Sequence, residues 1–170
     1  WGLMRFLHLA EQHDLPRMVS IQNPYSLLNR TFEIGLAEIS HRENVGLLAY
    51  SPLAMGVLTG KYLPGAPLPE GSRASDDRQN GFMLDLEANQ PMLERVQQLK
   101  ELAEAMGLTT GQLSLAWLLH QEGVTSCING ASRPGQIIEN AAASGVELDP
   151  PPLRKIDEII RPVVYSHPFH

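Results

Sequence analysis

The stretch VGLLAYSPLAMGVLTGKY, residues 45–62, joins a short apolar run to a loop that is rich in small residues. The run VGLLAYS is apolar without strict alternation, a pattern typical of a parallel strand that is buried on both faces. Two runs of the same kind occur elsewhere, MVSIQN at 18–23 and VTSCING at 124–130. We therefore predict three strands, near residues 18–22, 45–50 and 124–129.

Helix patterns separate the three runs. Apolar residues recur at helical spacing from Leu3 to Ala10, and this first pattern stops at Asp14. Thr109 and Gln112 form the signature of a capping box, which marks the start of another helix. Further helices are predicted near residues 31–41, 91–106, 110–121, 133–143 and 153–160. Because each helix must return the chain to the same edge of the sheet, the alternation predicts an α/β fold with a parallel sheet.

Three strands are too few for a closed parallel barrel. A complete (β/α)₈ barrel has eight strands and about 250 residues, whereas this chain has 170 and opens on Trp1, already within a helix pattern. We therefore expect the C-terminal half of a (β/α)₈ TIM barrel over residues 1–162, followed by a tail at 163–170. A small open-sheet domain is the alternative.

Composition removes several classes of function. The net charge is −6 and the pI near 5.5, without a Lys/Arg-rich run, so that neither nucleic acid nor an anionic membrane is an expected partner. No apolar run approaches the ~20 residues of a membrane span. The single cysteine, Cys127, lies in an apolar run and is expected to be a buried thiol. A cytoplasmic location is predicted.

No metal site is predicted from the histidines. They are scattered over helix patterns without His-x-x-x-His spacing, and two of them fall in the tail. Solvent-facing side chains are the expectation for His8, His13, His41 and His120.

Polar or aromatic residues follow each predicted strand. In parallel α/β folds functional groups collect at the carboxyl ends of the strands. Taken singly, Gln22, Tyr50 and Asn129 each have a structural explanation, as a loop hydrogen bond, a half-buried aromatic or a turn. Together they favour a shared ligand.

The segments after the second and third strands favour an anionic ligand. The loop at 51–60 is built from small residues that allow close approach of backbone amides, and it ends at Lys61. After the third strand, Ser132 is the expected N-cap of a helix with Pro134 in its first turn, and Arg133 can fork onto an anion. An aromatic plate, an amide and two anion sites match the parts of a dinucleotide, although no Gly-x-Gly-x-x-Gly motif occurs.

Four segments, in this order and spacing, carry a resemblance to a known family. They are IQNPYSLLNR (21–30), AYSPLAMGVLTGKY (49–62), GSRAS (71–75) and INGASRPGQIIEN (128–140). The chain resembles the C-terminal half of an aldo-keto reductase, most closely the branch that contains bacterial reductases and potassium-channel β subunits. The resemblance implies a (β/α)₈ barrel that binds NADPH without a Rossmann domain and reduces carbonyl compounds by hydride transfer.

The resemblance also implies a set of cofactor-binding residues. Gln22 would bond the nicotinamide carboxamide, and Tyr50 would stack on the nicotinamide ring. Lys61 and Arg73 would lie near the phosphates or fold over the cofactor. The pyrophosphate would be lined by Ser51, Pro52, Leu53, Met55 and Gly56.

The adenosine end would be held by the segment after the third strand. Glu139 and Asn140 would address the adenine. Some branches of the family carry Lys at the position of Gly130 and Arg at that of Gln136, so that a preference for NADP over NAD rests here on Ser132 and Arg133. The implied contacts are Gly130, Ser132, Arg133, Gln136, Glu139 and Asn140.

The resemblance implies that the catalytic residues lie outside this chain. The family uses a Tyr as general acid, supported by Lys, Asp and His. All four fall in the half that this chain lacks, so that no catalytic residue is assigned to the truncated chain.

Three functions follow as alternatives. The chain is the cofactor-clamping half of a reductase of small aldehydes or ketones, a nucleotide-sensing module of channel-β-subunit type, or an inactive fragment. The fragment would self-associate through its strand edges or pair with the missing N-terminal half.

Overall fold

The computed structural model describes residues 1–76 and 89–165, and its helices and strands alternate along the chain. The strands are β1 (Ser20–Pro24), β2 (Gly46–Tyr50) and β3 (Val124–Ile128). The helices are α1 (Gly2–His13), α2 (Leu36–Glu43), α3 (Gln90–Ala105), α4 (Thr110–Leu119), α5 (Pro134–Ala142) and α6 (Pro150–Ile160). Short 3₁₀ turns occur at Thr31–Glu33, Ala54–Thr59, Arg73–Ser75, Ala143–Gly145 and Arg161–Val163.

The three strands form one parallel sheet in the order β1-β2-β3. Tyr50 at the end of β2 pairs with Pro24 on one side and with Ile128 on the other, so the carboxyl ends of the strands are level. The register of β2 and β3 is irregular between Leu47 and Leu48. The sheet is not closed. The parallel strands that alternate with helices confirm the predicted α/β class. A parallel sheet that is not closed is consistent with part of a TIM barrel.

Helix α3 packs on the core through the stripe that its sequence predicts. Val96, Leu99 and Ala103 are fully buried, and Met92 and Met106 at the two ends of the stripe are half-buried. This spacing keeps one face of the helix apolar over its whole length.

Helix α4 begins with the predicted capping box. The Gln112 amide N–H donates to Thr109 Oγ1 (3.2 Å), and the Thr109 N–H donates to Gln112 Oε1 (3.0 Å). Each bond satisfies a backbone donor that the first helical turn would otherwise leave free.

Two predicted helices have different bounds in the structure. The single helix expected at 31–41 is wrong, because Gly35 adopts φ +83° and separates the turn Thr31–Glu33 from α2. Helix α6 begins at Pro150 rather than at residue 153, since proline is tolerated in the first turn of a helix. The first strand begins two residues later than expected, at Ser20.

The sequence predicts strands that are buried on both faces, and within this chain the helices cover one of the two. On the side covered by helices, Leu47 and Ala49 are fully buried and Cys127 is half-buried. The side chains on the other side, here called the open face, are exposed or half-buried. The open face consists of Ser20, Gln22, Leu48, Tyr50, Ser126 and Ile128.

Neither a membrane-spanning helix nor a cluster of metal ligands occurs in the described residues. Of the helices at 1–76 and 89–165, none has the length and apolarity that crossing a membrane requires. These residues also contain no group of three or more His, Cys, Asp or Glu placed to hold a metal ion. The four helix-borne histidines are exposed, as predicted, whereas His167 and His170 lie outside the described residues.

Candidate functional site

The carboxyl ends of β1 and β2 bring Gln22 and Tyr50 onto the same side of the sheet. Gln22 is in register with Leu48, two residues before Tyr50, and side chains of a strand alternate between its faces. Both therefore belong to the open face. Gln22 is exposed and the Tyr50 side chain is 42% exposed, so an amide and a phenol ring are available there to a ligand.

The loop after β2 contains an unusual run of left-handed backbone. Ser51, Ala54 and Met55 have φ of 52°, 47° and 55°, and Gly56 and Gly60 have φ of 98° and 72°. Such a conformation costs a residue other than glycine on the order of 1–3 kcal/mol. Strain of this kind is concentrated in active sites and ligand clamps.

Local packing holds this strained loop in place. The amides of Gly56 and Leu58 both donate to the Leu53 carbonyl, at 2.9 and 3.2 Å, and Val57 and Leu58 are buried in the core. The small residues of this loop predicted a close approach of backbone amides to a ligand. Nothing in the sequence indicated that Ser51, Ala54 and Met55 would adopt positive φ. Of the residues assigned to this loop by resemblance, Pro52 is buried, Ser51 is exposed, and Leu53, Met55 and Gly56 are half-buried.

Lys61 places a positive charge next to Gly56 of the loop. Its Nζ lies 5.0 Å from the centre of the Tyr62 ring, and a Cβ added at Gly56 would lie 3.1 Å from the same Nζ. Gly56 thus leaves room for the ammonium group. No carboxylate among the residues that the structure describes forms an ion pair with Lys61, so its charge is available to an anion.

A second cation is held near the end of the same loop. The Ala74 N–H donates to the hydroxyl of the buried Tyr62 (3.3 Å), and Ala74 is itself fully buried. This contact ties the turn Arg73–Ser75 to the residue that follows Lys61. The exposed Arg73 is therefore brought to the same region as Lys61. Asp77, one of two adjacent acids in this segment, lies outside the described residues.

At the end of β3 the helix start differs from the prediction. Ser132 was expected to cap α5, but the N-cap is Arg133 (φ −142°, ψ 145°) and Pro134 is the first helical residue. Gln136 Oε1 accepts from the Ser132 amide (2.8 Å), the Ser132 hydroxyl (3.2 Å) and the Arg133 amide (3.2 Å). Because Arg133 has no side-chain acceptor, the reciprocal half of a capping box cannot form.

These hydrogen bonds change the interpretation of the anion site at this helix. The sequence led us to expect an anion at the start of this helix, but the backbone amides of Ser132 and Arg133 already donate to Gln136. The shift by one residue follows from proline, which is favoured at the first helical position and so puts the N-cap at the preceding residue.

A shallow cavity opens between the end of β3 and α5. It is lined by Asn129, Ala131, Ile137, Asn140 and Ala141. Asn140 belongs to the predicted site, whereas Ala131, Ile137 and Ala141 were not predicted; small and apolar residues carry no chemical signature, so only the fold reveals them. Gly130 and Glu139 are exposed beside this cavity.

Two titratable groups in the core are held in their neutral forms. Burial raises the pKa of the Cys127 thiol to about 11, which agrees with the predicted unreactive thiol. Burial, followed by a hydrogen bond from its hydroxyl to Glu33 Oε1 (2.8 Å), raises the pKa of Tyr25. Tyr25 also contacts the rings of Phe32 and Trp117.

The sequence of this chain matches the model of the Aldo/keto reductase family over residues 3–161. The chain belongs to the aldo/keto reductase family. The family match spans every helix and strand that flanks the site, from α1 to α6. It therefore agrees with the resemblance carried by the strand ends and by the loops after β2 and β3.

Individual aldo/keto reductase relatives are similar over most of the chain. "Protein tas" of Escherichia coli (strain K12) is 44% identical over 172 residues, covering 99% of this chain and 46% of the relative. A "putative voltage-gated potassium channel subunit beta" of Schizosaccharomyces pombe is 39% identical, covering 90% of this chain and 45% of the relative. An "L-glyceraldehyde 3-phosphate reductase" of Escherichia coli O157:H7 is 36% identical, with 82% and 40% covered. The chain thus spans less than half the length of these curated relatives.

Proposed function

We propose that this chain is the NADP(H)-binding half of an aldo-keto reductase that reduces aldehydes or ketones. Family membership supports an oxidoreductase. The observation that carries the cofactor assignment is the placement of Gln22 and Tyr50 on one open face, beside a strained loop that ends at Lys61. When bound, NADPH supplies the hydride that is transferred to the carbonyl carbon.

Each part of the site has a binding role that suits its chemistry. The Gln22 amide can both donate to and accept from a carboxamide, and the exposed Tyr50 ring offers a flat surface for the nicotinamide. Lys61 and Arg73 provide positive charge for the pyrophosphate, around the exposed Ser51 and the half-buried Leu53, Met55 and Gly56. The side chain of Pro52 is buried, so Pro52 would shape the loop around the pyrophosphate rather than contact the cofactor with its side chain.

The adenosine end is assigned to the α5 segment. Asn140 lines the cavity beside β3, and Glu139 lies next to it on the helix. Gly130 and Ser132 belong to the exposed connection between β3 and α5. Arg133 forms no ion pair with any described carboxylate, so its guanidinium is free to bind a phosphate.

Proton donation to the carbonyl oxygen is assigned to residues that this chain does not contain. Tyr25 is unsuited to that role because burial and the nearby Glu33 raise its pKa. Tyr62 is buried in the core and tied to Ala74. We infer that the substrate pocket forms against the open face when further strands cover it, and that the protein acts in the cytoplasm.

A second candidate function is a nucleotide-sensing module. The similarity to the putative potassium channel β subunit of Schizosaccharomyces pombe supports it. In that case the same cofactor site would be occupied without turnover. A fragment that only self-associates is the third candidate, and it predicts no cofactor binding.

A fluorescence titration of the purified chain with NADPH, run beside NADH, tests the proposal. Saturable binding that favours NADPH is the expected result, because the proposed contacts to both ends of the cofactor lie within this chain. A chain that is folded by circular dichroism yet binds neither nucleotide would contradict a self-contained cofactor site.

A further inference from the structure

The side chain of Gln112 joins the start of α4 to the end of α5. Its Oε1 accepts from the Thr109 N–H (3.0 Å), and its Nε2 donates to the Glu139 carbonyl oxygen (3.2 Å). A backbone N–H can only donate and a carbonyl can only accept, so these contacts fix which end of the side-chain amide faces which helix. The amide cannot flip without losing both bonds.

The Glu139 carbonyl is one that α5 does not satisfy by itself. The last four carbonyls of a helix lack an amide partner one turn further on, and α5 ends at Ala142. The Ala143 amide, which would reach Glu139 in a longer helix, donates instead to Asn140 and Ala141. Gln112 therefore satisfies an acceptor at the end of α5 as well as a donor at the start of α4.

Few other contacts hold α5 in place. Asn140 is half-buried, and the other residues of α5 are exposed. A helix of nine residues is too short to be stable through its own hydrogen bonds. Among residues 1–76 and 89–165, no other side-chain hydrogen bond joins α5 to a different α-helix or strand. The bond from Gln112 is thus a main determinant of where α5 lies.

The peptide unit that Gln112 holds is the one that carries Asn140. The Glu139 carbonyl and the Asn140 amide belong to the same planar peptide group, so a fixed carbonyl also fixes the backbone from which the Asn140 side chain projects. Asn140 lines the cavity between β3 and α5 together with Asn129. A shift of this peptide would change the wall of the cavity.

We propose that Gln112 is a positioning residue for the adenosine end of the cofactor site, whose Nε2 holds the Glu139–Asn140 peptide and so sets the place of Asn140. The inference rests on the proposed cofactor-binding function. It adds a residue that the sequence marks only as part of a helix cap. Gln112 acts through Asn140 rather than by contact with the cofactor.

The variant Gln112→Glu keeps the cap and removes the bond to α5. One carboxylate oxygen still accepts from the Thr109 amide, and a negative charge at the start of a helix is favourable, so the thermal midpoint should be unchanged or higher. The second oxygen cannot donate to the Glu139 carbonyl. We expect the dissociation constants for NADPH and NADH, measured by calorimetry, to rise by the same factor, about three- to tenfold, because both cofactors share the adenosine end.

The variant Thr109→Ala makes the opposite change. It removes the hydroxyl that accepts from the Gln112 amide, whereas both side-chain bonds of Gln112 remain, since Thr109 donates through its backbone. The thermal midpoint should fall because the cap is lost, and the dissociation constants should not change. An equal loss of affinity in Thr109→Ala and Gln112→Glu would overturn the proposal, because the stability of α4 would then explain both.

A matched control separates the bond from the added charge. Gln121→Glu introduces the same charge just beyond the other end of α4, where Gln121 Nε2 donates to the Trp117 carbonyl (2.9 Å), and it should leave both dissociation constants unchanged. The ratio of the Gln112→Glu constant to the wild-type constant should persist in about 1 M salt, where charges are screened beyond ~3 Å. A ratio that returns to one would overturn the proposal in favour of charge repulsion.

Hydrogen exchange tests the placement of α5 without a nucleotide. In Gln112→Glu the amides of α5 should exchange faster than in the wild type, and those of α4 should not. Equal exchange in α5 would overturn the proposal. A wild-type chain that binds both nucleotides, with Gln112→Glu binding them equally well, contradicts the role of Gln112 alone. A wild-type chain that binds neither contradicts the proposed function and this inference together.

Discussion

At the scale of single residues, Tyr50 is an aromatic side chain that the fold does not bury. It ends a strand whose helix-facing neighbours, Leu47 and Ala49, are fully buried, yet its own ring is 42% exposed. An aromatic ring that stays in solvent forgoes the stabilisation that its burial would give. A ligand that stacks on the ring would provide that burial.

We expect Tyr50→Ala to weaken cofactor binding by about 1 kcal/mol or more, because the stacking surface is lost. Fluorescence titration with NADPH measures the change. Tyr165→Ala is a matched control, since Tyr165 is similarly exposed but is not among the residues assigned to the cofactor site. Unchanged affinity in Tyr50→Ala would remove Tyr50 from the site.

Cys127 makes the stability of the fold depend on pH in the alkaline range. Its pKa is raised from 9.0 to about 11, so the folded state holds the thiol proton more tightly than the unfolded chain does. This contribution to stability is complete below pH 9 and is lost as the pH rises towards 11. Tyr25, whose pKa is also raised, acts in the same direction above its ordinary value of 10.0.

We therefore expect the free energy of unfolding to fall between pH 9 and 11. Urea denaturation at a series of pH values measures this fall. In Cys127→Ala the part of the fall that begins near pH 9 should be smaller. Superimposable pH profiles for the two proteins would show that the thiol does not contribute.

At the scale of elements, the loop after β2 combines backbone strain with firm anchoring. Ala54 and Met55 are in left-handed conformations, whereas Val57 and Leu58 directly after them are buried. The anchored residues hold the strained ones in place. A backbone that is already ordered in this way binds a ligand without a further loss of conformational entropy.

Replacing Ala54 by glycine tests the strain. Relief of the positive φ outweighs the extra entropy of glycine in the unfolded chain, so Ala54→Gly should raise the free energy of unfolding by about 0.5–1 kcal/mol. The control Ala105→Gly, at an exposed position of α3 with ordinary helical backbone, should lower it by about 1 kcal/mol. Denaturation in urea measures both, and a destabilised Ala54→Gly would show that the loop is not strained.

At the scale of the whole molecule, the sheet formed by residues 1–76 and 89–165 has two edge strands without a further partner in these ranges, and one open face. Apolar side chains lie exposed next to both edge strands: Val19 directly before β1, and Ile137 at the cavity that follows β3. Unpaired parallel edges flanked by apolar surface are prone to association. We propose that these edges pair either with the further strands of an aldo/keto reductase barrel or with a second copy of the chain.

The isolated chain is accordingly expected to have a mass above 18.8 kDa in solution, as measured by light scattering. Val19→Asp should reduce the association, because it puts a charge beside the β1 edge. Ile34→Asp is the matched control, since Ile34 is also exposed but lies in the turn that precedes α2. A monomeric wild-type chain at micromolar concentration would contradict this expectation.

The sequence by itself determined the order and type of most elements and part of the site. Short apolar runs predict strands, the stripe from Met92 to Met106 predicts a core-facing helix, and Thr109 with Gln112 marks its neighbour's start. These signals are local, because they depend on side-chain spacing within one element. The same is true of the polar or aromatic residues at the ends of the predicted strands, which made Gln22 and Tyr50 candidates for the site.

The tertiary structure alone decided the features that depend on distant contacts. The apolar runs predict buried strands, but composition does not show which face the helices of this chain cover. The left-handed run at Ser51, Ala54 and Met55 is imposed by anchoring rather than by residue preference. The hydrogen bonds of Gln136 arise only once Pro134 fixes the N-cap at Arg133, which replaces the expected cap at Ser132. Local preference sets what each segment can form, and packing between segments selects among those possibilities.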